Sequence, residues 1–297
     1  MDYKKIIPFL VMPLLLITVE IGAILLSLPV QAAGITAFED PDAISNLVVF
    51  MMILLVFTGF LLLLIRYNLK NVISFVIACS IFLTLWYIFS ALVNIVWGMT
   101  AVAILVTLSL SIFGTIILYT YPEWYVIDIL GILIAAGVAS IFGVSLNILP
   151  VIALLVVLAI YDAISVYKTK HMIRLAEGII DLKTPILFVI PKRRDYSYIR
   201  EGIEKIEEGT ERSAFIMGMG DLIMPAVLVV SANVFLKGAR LFGVLNIPAL
   251  GAIIGSCAGL VVLLYFVTSG RPQAGLPPLN GGTIIGFLVG WALVGFA

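Results

Sequence analysis

Nine apolar runs of roughly 20 residues follow one another along the chain, divided by short breaks except between the sixth and seventh. They cover residues 6–29, 43–65, 72–92, 99–119, 125–144, 148–167, 213–236, 248–268 and 279–296. A run of this length crosses the ~30 Å hydrocarbon layer as an α-helix, because a helix satisfies its backbone polar groups within its own segment and lipid offers them nothing. The pattern predicts an all-α polytopic membrane protein of about nine transmembrane helices. The third and fourth runs are divided only by Asn94, Trp97 and Gly98, with no charge to mark the loop. The first run, after "MDYKK", is too long for the apolar core of a signal peptide, and "VQAAG" is the only candidate cleavage site behind it. We read it as a retained first span.

The one substantial polar stretch is 168–212. Within it "ILFVI", bounded by Pro185 and Pro191, reads as a short strand, and "IREGIEKIEEG" as one or two amphipathic turns on the surface. The basic residues of this connector suit contact with anionic lipid. Lysine and arginine also set the orientation. With the N-terminus inside, the inner segments hold Lys4, Lys5, Arg66, Lys70, the connector cluster and Arg271, against Lys237 and Arg240 outside. The reading is therefore N-terminus cytoplasmic and C-terminus outside. Composition agrees with a multi-pass protein of the cell membrane, 63% hydrophobic and 11% charged. The net charge of zero gives no basic field for nucleic acid. Cys79 and Cys257 lie in apolar runs and read as small buried hydrophobes, and the single His171 has no partners for a metal site.

Ionisable residues inside spans are rare and usually face a partner or a cavity. Four are candidates: Glu20 midway through the first span, Asp128 near the start of the fifth, Asp162 near the end of the sixth and Asp221 in the first half of the seventh. Glu20 reads as a protonated group bonded to a neighbouring span, and Asp128 as interfacial beside Trp124 and Tyr125 or as a third acid. Asp162 precedes Lys168 by six residues, about 9 Å along a helix axis. Asp221 follows Arg212 by nine, about 14 Å along a regular helix, and Gly218 and Gly220 weaken helix just before it. The two acids fall in one leaflet, on antiparallel spans joined by a single loop. Facing carboxyl groups in a medium of low dielectric cannot both ionise, so they share a proton. One can then take a proton from water as that water attacks a carbonyl, while the other donates to the developing oxyanion. This chemistry needs no metal and no cofactor. Paired acids of this kind also serve proton relays, so a proton or ion pathway, as a transporter or leak channel, is the alternative.

Three short motifs narrow the choice. Tyr161-Asp162 resembles a YD motif, Gly218-Met219-Gly220-Asp221 a GxGD motif, and Pro248-Ala249-Leu250 a PAL motif. In that order, on the sixth, seventh and eighth spans, they resemble the presenilin and signal-peptide-peptidase family of intramembrane aspartyl proteases. Type IV prepilin peptidases share the GxGD aspartate but carry no PAL motif after it. The resemblance implies that Asp162 and Asp221 are a catalytic dyad and that Pro248, Ala249 and Leu250 lie beside it and help place substrate. Gly218 and Gly220 would let a substrate backbone approach, and Tyr161 would support the site with its hydroxyl. The substrates implied are single-span transmembrane proteins, which must unwind locally to expose an amide, with "TPILFVI" or the backbone before GMGD pairing to them as an added strand. On this reading 1–147 is a scaffold of five spans and 148–297 the catalytic half with the connector 168–212. That connector is too short and too polar for the self-cleavage of animal presenilins. The brevity of the chain implies a microbial, archaeal homologue that works without obligatory partner subunits, a homo-oligomer being left open.

Overall fold

The computed structural model describes residues 3–169, 187–193, 195–202, 214–238, 240–267 and 273–295. Among them, eight helices are long and apolar enough to cross a membrane and a ninth apolar helix is shorter. The first six are α1 (Tyr3–Ala32), α2 (Ser45–Arg66), α3 (Lys70–Trp97), α4 (Ala101–Thr120), α5 (Trp124–Ser145) and α6 (Ile148–Ile164). A π turn, Ser165–Thr169, extends α6. The connector supplies β1 (Leu187–Pro191) and the one-turn α7 (Tyr198–Glu201). Then come β2 (Ala214–Gly218), α8 (Met219–Phe235), the short strands β3 (Arg240–Leu241) and β4 (Leu245–Asn246), α9 (Ile247–Val267) and α10 (Leu276–Gly295). The chain is thus a multi-pass integral membrane protein, as its hydropathy predicts. Most of the amphipathic turn at 199–209 and His171 lie outside the described residues.

The uncharged break between α3 and α4 has a local cause. Gly98 takes φ 61°, its N–H closes back on Asn94 O at 2.9 Å, and Thr100 caps α4 by accepting from Ala103 N–H. Asn94 therefore lies inside α3. The seventh apolar run differs from expectation at its start. Residues 214–218 are strand and the helix begins only at Met219. Phe215 and Ile216 favour an extended chain, the glycines at 218 and 220 weaken a helix, and a partner strand is at hand. β1 and β2 pair antiparallel with Phe188 opposite Met217 and Ile190 opposite Phe215.

Helix α5 is the centre of the bundle, packed on α1, α3 and α8, with half of its apolar window buried against 11% for α2. Its buried face is small-residued: Gly131, Ala135, Ala136, Gly137, Ala139, Ser140 and Gly143. Helices α9 and α10 form the closest pair. A Cβ on Gly255 would fall on the carbonyl oxygen of Gly282, and one on Gly286 on that of Gly251. Small residues alone permit such backbone approach. At one end of the bundle the first loop is tied to the α5–α6 turn, with Asn147 N–H to Pro41 O at 2.9 Å, Asn147 Nδ2 to Asp42 Oδ1 at 2.6 Å and Ala37 N–H to Ser145 Oγ at 2.7 Å.

Candidate active site

Helices α6, α8 and α10 pack on one another. Asp162 is in the last turn of α6 and Asp221 in the first turn of α8. The chain entering α10 runs between them. Leu276 N–H donates to Asp162 Oδ2 at 3.0 Å. The adjacent Gly275 presents a bare Cα to the other acid: a Cβ built there would stand 3.1 Å from Asp221 Oδ2, 3.2 Å from its Cγ and 3.3 Å from its Oδ1. The path through these two residues bounds the Oδ2–Oδ2 separation at about 10 Å, less than the width of a helix with its side chains. No helix can stand between the acids at that range. Both residues are half-buried rather than sealed in the core.

Strand β2 leads directly into Asp221. Gly218 ends the strand in an extended conformation, φ −66° and ψ 138°, and serves as the N-cap of α8. Its side-chain position would lie 3.5 Å from Asp221 Oδ2, whereas Gly220 faces open space. Tyr161 is half-buried next to Asp162 on α6.

The hairpin is held from α5. Asp128 Oδ1 accepts from Val189 N–H at 2.9 Å. Glu123 accepts from the Ser197 hydroxyl at 2.6 Å and from Tyr198 N–H at 3.1 Å. Burial beneath this contact pushes the Tyr198 phenol above its ordinary range. Asp128 is therefore not a bare interfacial acid but a strand anchor. Because Val189 N–H turns away from β2, Val189 and Ile216 form a non-hydrogen-bonded pair, and the N–H and C=O of Ile216 point to the outer edge of β2.

Two expectations need correction. Pro248, Ala249 and Leu250 do not lie beside the acids. They form the first turn of α9, at the far end of α8 from Asp221, about 20 Å away along the helix axis. Their sequence is explained as a helix start. Asn246 Oδ1 accepts from Ala249 N–H at 2.9 Å, and Pro248 occupies a position where its missing N–H is no loss. Asn246 and Asn233 also stitch α8 to α9, Asn246 Nδ2 bonding Ala232 O at 2.7 Å and Asn233 Oδ1 accepting from Asn246 N–H at 3.0 Å. Glu20 is fully buried opposite Ser256 of α9, but neither carboxyl oxygen has a hydrogen-bond partner among the described residues. Conversely, Gly275 and Leu276 were missed because the last apolar run reads as beginning at 279. The available signal was "GLPP", glycine and paired prolines opening a helix next to a span boundary.

A groove of about 650 Å³ also runs along exposed faces of α9 and α10, between Ile254, Val262, Ile285 and Val289. It carries no acid and cannot perform the chemistry of the pair.

Residues 12–296 match the family model described as signal-peptide peptidase, presenilin aspartyl protease. The chain is also similar to a solved presenilin-family intramembrane aspartate protease in space group C222, at 49% identity and a TM-score of 0.72, over 97% of this chain and 100% of that one. A structure of a presenilin-family intramembrane aspartate protease in space group P2 gives 49% identity and a TM-score of 0.71, over 97% and 98%. No curated protein gives a significant match.

Proposed function

Since the chain belongs to the signal-peptide-peptidase and presenilin family of aspartyl proteases, we propose that Asp162 and Asp221 are the catalytic pair of this intramembrane protease. The observation that carries the assignment is the convergence of both carboxyl groups on Gly275 and Leu276. The ionised acid takes a proton from a water molecule as its oxygen attacks the scissile carbonyl carbon. The protonated acid gives its proton to the carbonyl oxygen, and a gem-diol forms. Collapse of the gem-diol breaks the C–N bond, with a proton delivered to the leaving amine and one returned to the pair. Leu276 N–H orients the Asp162 carboxyl throughout.

The family acts on transmembrane substrates, and single-span proteins are the proposed class here. A helical substrate hides its amide in the i to i−4 ladder and must unwind. The outer edge of β2 at Ile216, which has no strand partner among the described residues, supports docking of the unwound segment as a third strand, which then passes directly by Asp221. On the charge distribution, the N-terminus is cytoplasmic and the pair opens to the cytosolic side. Gly220, in open space, leaves room for the substrate backbone. The proposed protein works without obligatory partner subunits.

The test is cleavage of a single-span substrate by purified protein in lipid vesicles. Asp162→Asn and Asp221→Asn are each expected to abolish product at every pH. Product from either variant would remove that residue from the pair. Ion flux through the same variants, without cleavage by the wild type, would instead favour an ion pathway.

A further inference from the structure

We infer that Tyr167 is a positioning residue for the aspartate pair, because its hydroxyl holds the segment whose backbone orients Asp162. The inference rests on the assignment of Asp162 and Asp221 given above.

Tyr167 lies in the π turn after α6. Its hydroxyl donates to Gln273 Oε1 at 2.8 Å and accepts from Ala274 N–H at 3.2 Å. Two residues further on, Leu276 N–H donates to Asp162 Oδ2. The end of α6 thus grips residues 273–276 twice, once through Tyr167 and once through Asp162. Gly275, between the two grips, is the residue against Asp221. The π turn explains how Tyr167 reaches. In a continued α-helix it would stand about 140° around the axis from Asp162. The wider turn closes part of that angle and brings both side chains to one segment, a use of π turns that recurs at functional sites.

Among the described residues, these two hydroxyl contacts are what places Tyr167. Its residue surface is 57% exposed, so the core does not hold the ring and the hydroxyl contacts define its place. That also makes Tyr167→Phe a mild change, which removes both hydrogen bonds and leaves the ring. With the grip released, the segment is held by α10 downstream and by the Asp162 contact itself. The amide at Leu276 and the bare Cα at Gly275 then wander relative to the two carboxyl groups.

The full-length protein in lipid nanodiscs tests this with two readouts. In Tyr167→Phe, amide hydrogen exchange at 274–276 is expected to quicken by about tenfold, and kcat to fall by about tenfold with KM within about twofold. The pH profile of cleavage is displaced, because the environment of one member of a coupled pair has changed. Gln273→Ala is expected to do the same more weakly and to add little to Tyr167→Phe. Unchanged exchange overturns the inference, and so does faster exchange with kcat and pH profile as in the wild type. If Tyr167→Phe fails to fold, Gln273→Ala keeps the ring, and the same two results support or overturn the inference. Exchange needs no catalysis, so a failure of the dyad assignment, seen as cleavage by Asp162→Asn, is distinguishable from a failure here.

Discussion

Gly275→Ala separates catalysis from folding. The added Cβ would stand 3.1, 3.2 and 3.3 Å from three atoms of the Asp221 carboxyl group. The backbone at Gly275 has no left-handed φ, so space alone opposes the change. Relief needs a few tenths of an ångström, and the obstacle is the tip of one side chain, which can turn away at about 0.5–1.5 kcal/mol. The fold should barely register it. The chemistry should, because the displaced group is one of the two proposed to move protons: a 1 Å misplacement can cost about 100-fold, and a few tenths about tenfold in kcat. Gly255→Ala is the contrast. There the new Cβ meets the backbone carbonyl of Gly282, which cannot turn aside, so α9 and α10 must part at about 1–3 kcal/mol or more. The assay is initial cleavage rate of a single-span substrate in vesicles beside thermal unfolding of the same preparations. Wild-type kcat in Gly275→Ala, or a drop in Tm as large as that of Gly255→Ala, would refute the reasoning.

Other changes act on other parts of the molecule. Cleavage should rise and then fall with pH if the proposed pair works with one proton shared, and a single flat plateau would contradict the dyad. Ile216→Pro removes an N–H from the open edge of β2 without touching the ladder to β1; KM should rise severalfold with Tm unchanged, and unaltered kinetics would exclude strand addition there. Asn246→Ala loses the cap of α9 and two bonds to the end of α8 and should cost about 2–4 kcal/mol in unfolding, whereas Pro248→Ala should leave kcat unchanged. Glu20→Met removes a buried carboxyl group that has no hydrogen-bond partner among the described residues and should stabilise by about 1–3 kcal/mol with activity retained; lost activity would give Glu20 a role in catalysis.

Asp162 and Asp221 stand out in the sequence because a charge in hydrocarbon is costly wherever it lies, and that cost is visible without knowing any neighbour. The strand at 187–191 was legible for a similar reason, a β-branched run between prolines. Pro248-Ala249-Leu250 shows the opposite case. Three residues match a motif by letter, yet their place is set by Asn246 and by the α8–α9 turn, at the wrong end of the helix. The strand at 214–218 was hidden inside an apolar run, because hydropathy does not distinguish a helix from a strand whose partner lies across the connector. The role of Asp128 depends on Val189, 61 residues away.

The sequence by itself determined the membrane class, the approximate spans, and which acids had to be explained. Those follow from the length and polarity of local segments, which solvent and lipid sort one segment at a time. Only the tertiary structure decided that the chain before α10 meets both acids. Leu276 meets Asp162 across 114 residues, and the contact exists only because α6, α8 and α10 pack side by side. Local pattern carries the free energy of transfer into the bilayer, while the geometry of the acids comes from which helices choose one another as neighbours.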